Sequence, residues 1–265
     1  MYPGAAVVIL AGGEGRRFGG DKLLAMVDGA PSLGRVARAA CEVGERVYIS
    51  TRSVERCRLY WSLVGCEAVC LLDPPGAVGP AAVFRILPLP HDRLYIVVAG
   101  DMPWVEPFLL ENLLVYGRRA GAATVLHGDG SVETLLSVLE PEMLERVKPL
   151  LAELERLRGY NRMTDVLRLS ERLALLSSTL LSPSQTSYSH INTREALKTR
   201  APKSPPAQRD VITLEPPLSR WQGGREALCK LLREERELYR RLGVATLAEH
   251  ATRDYKNLCT QTAKA

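Results

Sequence analysis

The sequence predicts a three-layer α/β fold with a mostly parallel sheet and a helical C-terminal extension. Three observations carry that prediction. They are a short apolar run near the N-terminus that ends in glycines, an alternation of strand-like and helix-like segments behind it, and a proline-rich break near residue 200 followed by a charge-laced amphipathic stretch. Alternation of this kind builds βαβ units, whose ligands sit beyond the carboxyl ends of the strands.

Residues 5–10 read Ala-Ala-Val-Val-Ile-Leu, an unbroken apolar run that suits a strand buried on both faces. After a loop, Ser32 is expected to cap a helix whose Leu33, Val36, Ala37, Ala40 and Cys41 recur at the spacing of one buried face. Strands are predicted over 47–50, 68–72 and 94–99, a helix over 105–117, a strand over 122–126 and an amphipathic helix over 141–157. Pro202, Pro205, Pro206, Pro216 and Pro217 make 198–217 a linker, since proline continues neither a helix nor a central strand. Over 226–242, Leu228, Leu231, Leu232, Leu238 and Leu242 recur among i, i+4 charge pairs such as Glu237 and Arg241. The division expected is therefore a domain over 1–200 and an appendage over 201–265. That appendage either docks on the core or mediates self-association through its helix.

Composition narrows the classes. A chain of 265 residues with 46% hydrophobic and 25% charged residues has the make-up of a soluble globular protein. No apolar run approaches the ~18 residues of a membrane span, and residues 5–11 lack a basic leader and a cleavage site. A cytoplasmic location with no membrane partner is expected. Cys41, Cys57, Cys66, Cys70, Cys229 and Cys259 lack the Cys-x-x-Cys spacing of zinc sites and are expected to be reduced thiols. Of the net charge of +5, residues 201–265 hold 12 Lys/Arg against 8 Asp/Glu, which leaves 1–200 nearly neutral. No nucleic-acid-binding stripe is expected.

The chemistry is concentrated behind the first strand, in Leu10-Ala11-Gly12-Gly13-Glu14-Gly15-Arg16-Arg17-Phe18-Gly19-Gly20-Asp21-Lys22. Glycines lacking Cβ let successive backbone N–H groups turn toward an anion, and Arg16, Arg17 and Lys22 add the positive charge a polyphosphate requires. A dinucleotide fingerprint would need glycine at Phe18, and a Walker loop would need Gly-Lys-Ser/Thr at Gly20-Asp21-Lys22, so neither applies. The strand over 94–99 runs into Gly100-Asp101-Met102-Pro103, which puts a carboxylate at a strand's carboxyl end. Mg²⁺ favours one or two carboxylates plus phosphate oxygens, so Asp101 is the expected metal ligand.

The glycine-rich segment resembles the Leu-Ala-Gly-Gly…Arg-Met-Gly-Gly…Asp-Lys signature of the molybdenum cofactor guanylyltransferase (MobA) family, with Phe18 in place of methionine. Gly100-Asp101-Met102-Pro103 resembles that family's Asp-x-Pro. Tyr188-Ser189-His190-Ile191-Asn192-Thr193-Arg194-Glu195-Ala196-Leu197 is similar to its Phe-x-Asn-Val-Asn-Thr-Pro-Glu-Asp-Leu, with His190 for asparagine and Arg194 for proline. Looser matches lie at Asp73 to Pro80 and at Gly130 to Leu135.

The resemblance implies a Rossmann-like nucleotidyltransferase fold and transfer of GMP from GTP to the phosphate of molybdenum-bound molybdopterin, with Mg²⁺ as cofactor. GTP and a phosphorylated pterin are the implied substrates. The implied nucleotide-binding residues are Leu10, Ala11, Gly12, Gly13, Gly15, Arg17, Lys22 and Asp73. Arg17, Lys22 and Asp101 would be catalytic, and Asn192 would lie near metal or substrate. Asn192 with Glu195 also fits a capping box. Cobinamide-phosphate guanylyltransferases, CTP-using molybdopterin cytidylyltransferases and a non-catalytic nucleotide-binding adaptor share parts of the pattern.

Overall fold

The structure, a computed structural model, describes residues 4–199 and 209–260 apart from 14, 16, 77 and 92. Arg16 therefore lies outside the described residues. The first strand, β1 (Ala5–Leu10), is buried along all but its last residue. A two-residue hairpin, β2 (Met26–Val27) and β3 (Ala30–Pro31), leads into α1 (Ser32–Val43). Strand β4 (Arg46–Thr51), helix α2 (Val54–Trp61), strand β5 (Ala68–Leu72), strand β6 (Leu94–Ala99) and helix α3 (Pro107–Gly117) follow.

The second half begins with β7 (Ala122–Leu126), β8 (Val132–Leu139), α4 (Pro141–Arg158) and α5 (Met163–Leu169). It continues through β9 (Leu173–Ser177), α6 (Ser178–Leu181), α7 (Ala196–Thr199), β10 (Val211–Leu214), α8 (Arg225–Leu242) and α9 (Ala245–Cys259). Eight strands form one sheet in the order β10-β9-β7-β8-β6-β1-β4-β5. Only β8 and β10 run against the other six. One face is covered by α1 and α3, whose Leu33, Val36, Leu109 and Leu113 share a core with Val7, Ile9, Ile96 and Val98. The opposite face is covered by α4, α5, α8 and α9 over Val8, Tyr95, Val97 and Leu175. That is the three-layer arrangement expected.

Because β1 pairs with β4 on one side and β6 on the other, the chain reverses its direction of travel across the sheet between β1 and β6. A crevice opens at the carboxyl ends of strands at such a point.

Three expectations are corrected, and one of the two alternatives left open for the extension is observed. Ser32 is not a helix cap: Pro31 stands at that position, and the Ser32 hydroxyl donates instead to the Gly100 carbonyl at 3.2 Å. The stretch expected as a linker contains β10, which pairs antiparallel with β9. The prolines flank Val211–Leu214 and leave its amides free to pair. The extension docks on the core, with Leu218, Trp221, Leu228, Leu232 and Leu247 in the same buried cluster as the sheet. Finally, the cysteines are not free thiols but form Cys41–Cys66, Cys57–Cys70 and Cys229–Cys259. Packing brings their Cα atoms to 5.9, 6.0 and 5.6 Å, within bonding range, a proximity that spacing in sequence does not reveal.

Candidate functional site

The loop after β1 turns sharply because glycine occupies the positions where a side chain would collide. A Cβ on Gly12 would stand 2.7 Å from Asp73 Oδ2, and one on Gly15, at φ +63°, would stand 2.1 Å from the Gly20 carbonyl. The Gly15 carbonyl accepts from the amides of Phe18 and Gly19 at 2.9 and 3.1 Å, which closes the turn. From α2, Arg56 donates to the Gly13 carbonyl at 3.0 Å. The Ala11 amide is already committed to the Ser50 carbonyl at 2.8 Å, and its side chain is buried. Ala11 therefore supports the turn from within the core.

Opposite this turn, Asp101 follows the end of β6 and is the centre of a chain of charges. Lys22 forms an ion pair with Oδ2, and His190 Nδ1 lies 2.9 Å from Oδ1. On its other side His190 Nε2 lies 3.1 Å from Glu133 Oε2. Lys22 also donates to Asn192 Oδ1 at 2.9 Å. The segment bearing His190 and Asn192 is pinned to β6 by a hydrogen bond from the Ile191 amide to the Asp101 carbonyl, 3.0 Å. Asn192 is thus a partner of Lys22, and it is the Thr193 hydroxyl that accepts from the first amide of α7, that of Ala196, at 3.4 Å.

Burial works against the charge on His190, but hydrogen bonds and attraction from Asp101 and Glu133 prevail and push its pKa up to about 9. Burial likewise opposes the charge on Asp101. The hydrogen bond and charge of His190, joined by Lys22, hold its carboxyl well below the usual carboxylate range. Basic and acidic side chains thus alternate in a row, Lys22, Asp101, His190 and Glu133.

Between the two halves lies a cavity of about 500 Å³ lined by Leu10, Gly12, Gly13, Lys22, Asp73, Asp101 and Asn192 together with Ser50, Arg52, Glu133 and His190. Asp73 accepts from the Ser50 hydroxyl and leans over Gly12. Arg17 and Gly15 do not line this cavity. They line an adjoining cleft with Phe18, which shares Gly13, Lys22, Arg52 and Asn192 with the first. Glu133 enters the cavity because β8 breaks register against β7: Thr124 pairs with Ser137 but Val125 with Glu133. The bulge turns Glu133, Thr134 and Leu135 inward.

Sequence reading did not single out Ser50 and Arg52. Their place at the carboxyl end of β4, beside the loop after β1, is the signal that could have found them. Asp101 could hold a divalent cation through its ionised oxygens. Among the described residues no cluster of three or more His, Cys, Asp or Glu is arranged to hold a metal by itself.

A doubly covered, mostly parallel sheet with a glycine turn and a carboxylate facing each other at its reversal point defines a nucleotide-handling α/β protein. Residues 7–175 match the MobA-like NTP transferase domain; the chain belongs to that family and is a nucleotidyltransferase. It is 31% identical over 156 residues to the molybdenum cofactor guanylyltransferase of Pseudomonas entomophila, covering 58% of this chain and 80% of that one. A probable molybdenum cofactor guanylyltransferase of Natronomonas pharaonis is 33% identical over 137 residues, 51% of this chain and 67% of its own. Among solved structures, molybdopterin-guanine dinucleotide biosynthesis protein A from Archaeoglobus fulgidus aligns over 74% of this chain and 96% of its own at 25% identity and a TM-score of 0.49. No helix among the described residues is long and apolar enough to cross a membrane.

Proposed function

We propose that the protein transfers GMP from GTP to the terminal phosphate of molybdenum-bound molybdopterin, releasing pyrophosphate. The observation that carries this reading is the meeting of the glycine turn, Lys22 and Asp101 around one cavity. The names of the relatives supply the acceptor and the base. The acceptor's phosphate oxygen forms a bond to the α-phosphorus of GTP as the bond from that phosphorus to the β-bridging oxygen breaks. The attacking group is already an anion, so no general base is required, and positioning and charge neutralisation carry the catalysis.

Each residue then has a role. The Gly12 and Gly13 backbone lets the triphosphate approach closely. Lys22 and, in the adjoining cleft, Arg17 neutralise the departing pyrophosphate. Asp73 reads the N1–H and N2–H₂ donors of guanine, held in place by Ser50. Asn192 orients Lys22, and Asp101 holds Mg²⁺. The donor set fits that ion: a hard oxygen ligand, held ionised, which His190 and Lys22 neutralise in its stead. When bound, Mg²⁺ supplies Lewis-acid stabilisation of the α-phosphate.

The test is release of pyrophosphate from GTP by the purified protein with Mg²⁺, with and without the pterin acceptor. Release that depends on the acceptor is expected. Asp101→Ala should lower kcat by roughly 10²-fold or more while changing GTP affinity far less. Unchanged turnover in that variant removes Asp101 from the mechanism, and turnover with CTP but not GTP removes the assignment of the base.

A further inference from the structure

We propose that a second cleft, between the β7–β8 turn, the start of β10 and the α8–α9 turn, is an oxyanion-binding subsite for a phosphate-class group. The cleft has a volume of about 350 Å³, and Arg209, Arg240 and Arg241 line it beside Gly128 and Gly130. No Asp or Glu lines it. None of the three guanidinium groups forms an ion pair or hydrogen bond among the described residues, so the Glu237–Arg241 pair that the spacing suggests is not made. Like charges gathered in a concavity without a carboxylate repel one another and favour an incoming anion. The planar fork of arginine matches phosphate oxygens in pairs. Arg240 and Arg241 stand in the last turn of α8, where cations also suit the helix dipole. That does not account for Arg209, which arrives from a separate segment ahead of β10.

The surroundings fix the backbone turn that follows Arg240 and Arg241. Gly243 closes α8 at φ 72°, and Gly130, at φ +80°, packs against it so closely that a Cβ there would stand 2.2 Å from the Gly243 carbonyl. Thr246 of α9 accepts from the Val132 amide at 2.9 Å and donates its own amide to the Gly130 carbonyl at 3.3 Å. The turn bearing the arginines is thereby tied to the β7–β8 turn, and the next residue of β8 after Val132 is Glu133 of the candidate site. Both clefts open at the same end of the sheet. Strand β7 is two strands from β6 and β10 is four, about 10 to 20 Å at the usual strand spacing, a span that one extended molecule anionic at both ends can cover. All three arginines lie outside the family match over 7–175; the subsite belongs to the extension.

The anion is either free phosphate or a phosphate ester of the acceptor; the second source rests on the function proposed above, the first does not. The experiment titrates inorganic phosphate into the full chain, with and without saturating GTP and Mg²⁺. The same titration is run on a variant carrying Arg209→Gln, Arg240→Gln and Arg241→Gln. With GTP in place, the unaltered protein is expected to bind one further phosphate and the variant to bind it roughly tenfold or more weakly. GTP affinity should be equal in the two proteins. A raised KM for the pterin acceptor in the variant, at unchanged kcat, assigns the anion to the acceptor; loss of phosphate binding alone assigns it to the free ion. Should the triple variant not fold, Arg209→Gln, away from the helix packing, is expected to show the same loss in part. Equal phosphate binding by the altered and unaltered proteins, or none by the unaltered protein, overturns the proposal.

Discussion

At Gly12 a missing Cβ makes room for Asp73, and the cavity depends on that economy of space. Gly12→Ala would put a methyl group 2.7 Å from Asp73 Oδ2, while Ser50 restrains the carboxylate from turning away. The expected outcome is a roughly tenfold or larger rise in the Kd for GTP with little change in Tm, measured by calorimetric titration and thermal melting. A second pair concerns Phe18 and Arg194, two of the residues that depart from the family pattern at its sharpest motifs. They meet in space: the Arg194 guanidinium lies 5.8 Å from the Phe18 ring centroid, and its Nε donates to the Phe18 carbonyl at 3.4 Å. Each departure is the other's partner, which no reading of the two motifs separately could show. A double-mutant cycle over Phe18→Met and Arg194→Pro, read by GTP affinity, is expected to give a coupling of about 0.5–1 kcal/mol. Lys22, Asp73, Asp101 and Asn192 could be nominated from the sequence because short motifs carry them. Glu133 and His190 matter through what touches them, and their alternating charges with Asp101 emerge only from the fold.

Among the elements, those with a clean period were legible: β1, α1, β6, α4 and α8 stand within a few residues of their expected limits. Strand β10 was hidden by the prolines around it. Helix α9 has a sparser apolar pattern than α8, with the small Ala248 and Ala251 buried between Leu247 and Leu258. Disulfides were also illegible, and they join neighbouring elements. Cys57–Cys70 links α2 to β5, and Cys229–Cys259 links α8 to α9. At sequence separations of 13 to 30, each bridge should contribute about 2–4 kcal/mol by restricting the unfolded chain. Purified under oxidising conditions, the denatured protein should show no free thiol in a colorimetric titration, and reduction should lower Tm markedly. Helix α2 also supplies Arg56 to the Gly13 carbonyl, so reduction is expected to weaken GTP binding as well. The contact of Gly130 with Gly243 gives the clearest test of how the extension is attached. Gly130→Ala imposes both a positive-φ penalty and a collision with backbone, and should cost about 1–3 kcal/mol in denaturant unfolding.

Across the whole molecule, the extension and the sheet share one buried cluster of ions as well as one apolar core. Arg158 and Arg162, flanking the end of α4 and the start of α5, and Arg168 within α5 face Asp165 of α5, Glu235 of α8 and Asp254 of α9. Three basic and three acidic side chains meet there, Arg168 and Glu235 are fully buried, and burial raises the Glu235 carboxyl against the opposing pull of Arg168. In sequence nothing marks these residues, because nothing in a single segment tells which of its charges a distant helix will cover. Glu235→Gln leaves Arg168 with one acid fewer in a low-dielectric interior and should destabilise by about 3–5 kcal/mol, more than any surface ion pair here. His250 borders this cluster, its Nδ1 2.7 Å from the Thr164 hydroxyl. Burial first, then the charges of Arg162 and Arg168, bring its pKa down from 6.5 to about 4. The unfolded chain therefore binds a proton that the folded chain refuses between those two values, and stability must fall as pH drops from about 6.5 toward 4. Asp254, depressed to about 2 by the three arginines against the opposing effect of burial, adds its own loss only below about pH 4. His250→Asn keeps a group able to bond Thr164 but cannot take up the proton. Unfolding free energies measured from pH 7 to pH 4 should fall less steeply in that variant, and identical slopes would remove His250 from the pH response.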